Sequence, residues 1–292
     1  MEKNILKWQG GKSNLFEGPI KDNLPQELFD PGKNITAIDA FAGGGSVFMF
    51  FLNNCPGIKR VLINDFNPRL IRLYFDIKTQ PQELIRKLKI IQDGYNASVD
   101  KNKFYLEMRQ QFNNLPVNSI DSSALLMCLN RSCFNGIYRE NSNGEFNVPW
   151  GKRDVLNAYT DQMINEISGK LNSRQVYFTS GDFSVVGNYI TENNTFIYLD
   201  PPYRPLSGSN SFTSYVSSPF NDDSQKRLKL FCDSAGTYFH ARVMVSNSYD
   251  PGDDFLIKLY NGYRIVQISA NRSSGGKNAM RGQIQENLIM NY

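Results

Sequence analysis

Short uncharged runs that stop abruptly at acids or glycines constrain this chain more than any other feature. The clearest is Thr195-Phe196-Ile197-Tyr198-Leu199, which holds no glycine, proline or charge and runs straight into Asp200-Pro201-Pro202-Tyr203. A continuous apolar run of this length predicts a strand buried on both faces, as in parallel sheets covered by helices. Ligands of such sheets bind beyond the carboxyl ends of the strands, so an acid delivered there is placed for chemistry. Each proline pushes the residue before it towards extended geometry, which fixes the directions of Asp200 and of the Pro201 carbonyl. Two rigid acceptors beside an aromatic ring suit a planar ligand bearing an amino group. In isolation, an ordinary strand stopped by prolines reads the same way.

Three further runs end similarly. Ile35–Asp39 leads through Ala40, Phe41 and Ala42 to Gly43-Gly44-Gly45-Ser46, with a helix expected over residues 47–53. A glycine turn between strand and helix has the form of a nucleotide-binding turn, but Phe48 takes the place of the third glycine in the dinucleotide fingerprint. A strand over residues 60–64 ends in Asp65, twenty residues beyond Gly45, the spacing an acid needs to reach ribose hydroxyls. A cofactor with an adenosine and no pyrophosphate fits both facts, and S-adenosylmethionine is one. A strand over residues 175–179 ends in Gly181-Asp182-Phe183. Near the N-terminus, Lys7-Trp8-Gln9-Gly10-Gly11-Lys12 places an aromatic, a flexible glycine pair and a cation together.

Between residues 67 and 130 the periodicity is helical. Apolar positions recur at Leu70, Ile71, Tyr74 and Ile77, then at Leu84, Ile85, Leu88 and Ile91, then at Phe104, Met108 and Phe112, and at Leu125, Leu126 and Leu129. No strand interrupts them, so an insert of roughly ninety residues, too long for a plain crossover, separates the second strand from the third. Its end changes texture. Residues 137–148, with Ser142-Asn143-Gly144 at the centre, predict a β-hairpin. Arg131, Phe134, Asn135, Ile137 and Arg139 offer the groups that read base edges, contact phosphates and wedge between bases. A solvated hairpin would look alike without context.

After the strand at 195–199 comes a long loop through residue 215, then a helix near residues 224–234 and strands over 241–246, 264–270 and 286–292. The connection before the last strand holds Arg272, Lys277 and Arg281 in a Gly/Ser-rich setting, either a phosphate clamp or a solvated tip.

Composition excludes several classes. With 40% hydrophobic and 21% charged residues among 292, the chain is globular. The first residues hold no apolar core of a signal peptide and no run reaches the ~18 apolar residues of a membrane span, so an intracellular, soluble protein is expected. Four cysteines without a C-x-x-C pair predict buried thiols, and one histidine, His240, leaves little room for a histidine metal site or a Ser-His triad. A net charge of +4 permits a nucleic-acid partner without requiring one.

Taken together, these motifs resemble the Dam-like DNA adenine-N6 methyltransferases of the alpha arrangement. The likeness is carried by Lys7-Trp8-x-Gly10-Gly11-Lys12, Phe41-Ala42-Gly43-Gly44-Gly45, Asn64-Asp65 and Asn135-Gly136-x-x-Arg139. It continues through Gly144-Glu145-Phe146-Asn147-Val148-Pro149, Asp200-Pro201-Pro202-Tyr203-x-Pro205-Leu206-Ser207 and Phe212-Thr213-x-Tyr215 to Arg272-Ser273 and Arg281. Motifs related to Asp-Pro-Pro-Tyr also serve methylation of cytosine N4 and of protein glutamine, and a DNA-binding protein with a silent centre is a further alternative. The order of parts and the hairpin favour adenine N6.

The resemblance implies a Rossmann-like, seven-stranded, mostly parallel α/β sheet with an antiparallel C-terminal hairpin. Residues 1–75 and 160–292 would form the catalytic domain, and 76–159 a helical target-recognition insert carrying a β-hairpin. Trp8, Lys12, Phe41, Gly43, Gly44, Gly45, Ser46, Asp65, Asp182, Phe183 and Asp200 would hold S-adenosylmethionine. Asp200, Pro201, Pro202 and Tyr203 would form the catalytic centre. Arg131, Phe134, Asn135, Ile137, Arg139, Arg272, Lys277 and Arg281 would contact double-stranded DNA, with no metal involved. Relatives sharing this hairpin commonly read GATC, and Phe134 stands where many carry a tyrosine.

Overall fold

The computed structural model describes residues 5–8, 10–204, 220–271 and 283–292. Most of the expected long loop after Tyr203, and Arg272, Lys277 and Arg281, lie outside these residues.

In chain order the elements are α1 (Ser13–Phe16), β1 (Ile35–Asp39), α2 (Ser46–Asn54), β2 (Ile58–Asp65), α3 (Pro68–Thr79), α4 (Pro81–Ala97), α5 (Lys101–Asn114) and α6 (Ile120–Ser132). There follow α7 (Asp161–Asn172), β3 (Gln175–Ser180), β4 (Thr195–Leu199), α8 (Asp222–Phe239), β5 (Arg242–Ser248), α9 (Phe255–Leu259), β6 (Arg264–Asn271) and β7 (Gln283–Met290). Helix starts follow their local chemistry. Asn67 caps α3 by accepting from Arg69 N at 2.9 Å ahead of Pro68, while Thr160 and Asn221 cap α7 and α8 in the same way. The single turns α1 and α9 had no sequence signal, because four or five residues cannot display a helical period.

The strands form one seven-stranded sheet in the order β3-β2-β1-β4-β5-β7-β6. β1 to β5 are parallel, and β7 runs antiparallel to both β5 and β6. Side chains alternate between two cores. Ala37, Val61, Ile63, Phe196, Tyr198 and Met244 face one, with α2, α3 and α7, whereas Ile38, Leu62, Ile197, Leu199, Val243 and Val245 face the other, with α8 and α9. Burial on both faces is why these strands read as unbroken apolar runs.

Helices α4 and α6 pack on α3, α4 also on α7, and α5 packs on α6 and α4, and the first core runs through them without a break. The chain reversal expected after α6 is present, but its antiparallel pairing reduces to the isolated bridges Glu140↔Phe146 and Cys133↔Trp150. The cause lies in α5. Asn113 bonds both the N–H and the carbonyl of Phe146, and Tyr105 donates to the Val148 carbonyl at 2.8 Å, so side chains take groups that a longer ladder would use. All four cysteines are free and buried. His240 closes α8 in a left-handed conformation. Among the described residues, no helix is long and apolar enough to cross a membrane.

Candidate active site

Chain order runs outwards from β1 to β2 and β3, then returns to β4 on the other side of β1. The crevice at that reversal, beyond the carboxyl ends of β1 and β4, is where sheets of this kind bind ligands. The four ligand-type strand exits lie side by side there.

The β1 exit is the glycine turn. Gly43 and Gly45 have φ values of +46° and +86°, which favour glycine, and a Cβ on Gly44 would meet Trp8 Cβ at 2.6 Å. Trp8 therefore lies against the turn, and its ring is 5.5 Å from that of Tyr138. At the next exit, Asp65 accepts from Gly43 N and from Asn67 N, both at 2.8 Å, tying the β2 exit to the turn. Burial raises its pKa, and these two backbone donors partly offset the rise.

Beyond β3, Asp182 bonds Ser184 and pairs with Arg227 at 2.8 Å. Burial raises its pKa, but the Ser184 and Arg227 contacts outweigh it and hold the carboxyl below the usual range. Phe183 is buried, with its ring 5.9 Å from Phe41 and close to Phe220.

At β4, Asp200 faces the Lys12 ammonium, with 3.4 Å between Nζ and Oδ1. Burial pushes the Asp200 carboxyl up to about 6, with Lys12 opposing and Glu286 reinforcing the rise. Tyr203 donates to Glu286 Oε2 at 2.8 Å, lies 3.1 Å from Ser246 Oγ and also contacts Lys12. Burial, then Asp200 and Glu286, keep its phenol protonated well above the ordinary range.

Three residues of this centre escaped the sequence. Asp39 is fully buried; its Oδ2 accepts from Phe48 N at 3.2 Å and the Phe41 backbone also favours its charge, while Oδ1 makes no hydrogen bond of good geometry among the described residues. Ser246 and Glu286 arrive from β5 and β7, whose register pairs Ser248 with Glu286. A strand position two residues from a paired one shares its face, but that register is invisible without the sheet.

A sequence model of the D12 class N6 adenine-specific DNA methyltransferases matches residues 8–274. The chain belongs to this family. A type II methyltransferase of Methanocaldococcus jannaschii is 38% identical, covering 99% of both chains. A type II methyltransferase of Lactococcus lactis subsp. cremoris is 33% identical, over 99% of this chain and 95% of the relative. A DNA adenine methylase of Vibrio cholerae is 31% identical, over 99% and 96%. The protein is thus a DNA adenine-N6 methyltransferase.

In this methyltransferase the insert's end meets the N-terminal segment. Asn130, buried in α6, accepts from Lys7 N at 2.8 Å and donates to the carbonyls of Lys7 and Gly136. Phe134 is 52% exposed, a ring without cover, and Asn135 beside it holds a left-handed φ of 55°. Ile137 is half-buried. Arg139 is exposed, its Nε on Asn147 Oδ1 at 2.7 Å. Arg131 is partly buried instead, with Nη2 3.4 Å from the Ile5 carbonyl. Partial desolvation of the Lys7 ammonium, then Arg153 and Arg131, lower its pKa, which marks a positive cluster the sequence had not joined together. No group of three His, Cys, Asp or Glu suited to a metal occurs among the described residues.

Proposed function

We propose that the enzyme methylates N6 of an adenine flipped out of duplex DNA, within GATC, with S-adenosylmethionine as donor. The carrying observation is adjacency: the Gly43–Gly45 turn and Asp200 leave neighbouring strands of the sheet. The residues present fit that donor. A glycine turn admits close backbone approach, and Asp39, whose Oδ1 lacks a hydrogen-bond partner among the described residues, lies near Asp200 and Asp65, whose charges raise its pKa, an acidic setting suited to a cationic ligand.

Trp8, Lys12, Phe41, residues 43–46, Asp65, Asp182 and Phe183 would hold the donor, with Asp65 towards the ribose and Asp182 and Phe183 towards the adenine ring. Bound there, S-adenosylmethionine supplies an electrophilic methyl group. The chain's own residues do the rest. N6 of adenine is a poor nucleophile, because its lone pair is delocalised into the ring, and it is stacked inside the duplex. Extruding the base costs a few kcal/mol. The Asp200 carboxylate and the Pro201 carbonyl each accept one N6 hydrogen, which draws the nitrogen towards tetrahedral geometry and frees the lone pair. Pro202 keeps that loop extended, and Tyr203 stacks on the base. The Asp200 charge then stabilises the cation developing on N6. Residues 76–159 act as the reader, with Phe134 as wedge, Asn135, Ile137 and Arg139 at the target, and Arg131 supporting the segment from behind. Arg272, Lys277 and Arg281 would add phosphate contacts.

Asp200→Ala is expected to lower methyl transfer by about 10²–10³-fold or more, with donor affinity in calorimetry largely kept. Mass analysis of digested DNA product should show N6-methyladenine, and sequencing should place it in GATC. Full activity in the variant, or N4-methylcytosine in the product, would overturn the reading.

A further inference from the structure

We propose that Glu286 is a positioning residue for this reaction: from β7 it shares the Lys12 ammonium with Asp200 and anchors the Tyr203 hydroxyl, so that it sets how much of the lysine charge reaches Asp200. The inference rests on Asp200 being the N6 acceptor.

Glu286 is buried, at 7% exposure, and all its partners belong to the centre. Lys12 Nζ lies 3.3 Å from Oε1 and 3.1 Å from Oε2, closer than its 3.4 Å to Asp200. Tyr203 OH donates to Oε2 at 2.8 Å and Ser246 Oγ at 3.3 Å. One ammonium thus serves two carboxylates. The groups that face Asp200 are Lys12 from the N-terminal segment, Glu286 from β7, Tyr203 from its own loop, Tyr198 from β4 and Asp39 from β1.

The division has a chemical use. A lysine committed to Asp200 alone would neutralise the charge that must meet the cation on N6. It would also make the carboxylate a weaker acceptor for the N6 hydrogens. With Glu286 present, two carboxylates and one ammonium leave the cluster one negative charge in excess, matching the charge that develops on the substrate. The same contacts hold the Tyr203 ring at a fixed height, with Lys12 Nζ 4.5 Å from its centroid.

The pH profile of kcat tests this, because its acid limb reports ionisation within the enzyme–substrate complex. Asp200 must be ionised, so activity falls as pH drops through its pKa. Glu286→Gln removes a neighbouring negative charge, and the limb is expected to move about one pH unit lower, with kcat at the plateau reduced and donor affinity in calorimetry unchanged. Lys12→Met is expected to move the limb higher by a similar amount, and the double variant to bring it back towards wild type. Glu286→Ala must shift it in the same direction as Glu286→Gln, so whichever variant melts cooperatively decides. A purely structural role for Glu286 would lower the melting temperature without moving the limb. An unmoved limb, with Asp200→Asn inactive, overturns the role of Glu286. Full activity in Asp200→Asn instead overturns the reading of Asp200.

Discussion

Asp39 shows how one residue can work against the fold that contains it. Its carboxyl is fully buried, with one oxygen unpartnered among the described residues. Burial, then Asp200 and Asp65, push its pKa well above the carboxylate range. The folded protein therefore holds this proton more tightly than the unfolded chain does. The resulting stability is present at acid pH and lost as pH rises from the unfolded value towards the folded one. Asp39→Asn keeps an oxygen for Phe48 N and abolishes the titration. Calorimetric scans should show a higher Tm than wild type at neutral pH, converging at acid pH, together with weaker donor binding. A variant that melts lower at neutral pH would count against this account. Asp200 was legible from the sequence because two prolines and a tyrosine mark it. Asp39 carried no such marker, since an acid closing a strand is commonplace until its burial is seen.

At the scale of elements, α6 joins the N-terminal segment to the loop proposed as the reader. Its Asn130 is bonded to Lys7 on one side and Gly136 on the other, so the segment carrying Trp8 and Lys12 is pinned to the loop carrying Phe134 and Asn135. Asn130→Ala leaves three backbone groups to find new partners. The expected cost is about 2 kcal/mol, a fall in Tm of roughly 3 °C, and a loss of kcat larger than the loss of DNA affinity. Equal losses in both would show that the pin serves binding alone. The longer helices of the insert were readable from their apolar period. The loop after α6 was readable in direction but not in pairing, because the partners of Phe146 and Val148 are side chains of α5, far away in sequence.

For the whole molecule, the modest net charge of +4 conceals a local concentration: Lys7, Arg131 and Arg153 converge beside the loop after α6 proposed as the reader, and Arg139 is exposed on it. If about four phosphates are neutralised, a fourfold rise in salt should weaken DNA binding by about 10²-fold. Arg153→Ala should lower the slope of log K against log salt by about one. Fluorescence anisotropy over a salt series measures both, and a slope unchanged in the variant would remove Arg153 from the interface.

The sequence by itself determined the strands, the glycine turn, the acid–proline–tyrosine loop and the long helical insert. Each is written in consecutive residues whose local preferences and burial agree. Tertiary structure alone decided that the exits of β3, β2, β1 and β4 lie side by side, that Lys7 reaches the loop after α6, and that Glu286 meets both Lys12 and Tyr203. Those facts depend on strand order and antiparallel register, which are set by how distant surfaces pack and leave no mark in neighbouring residues.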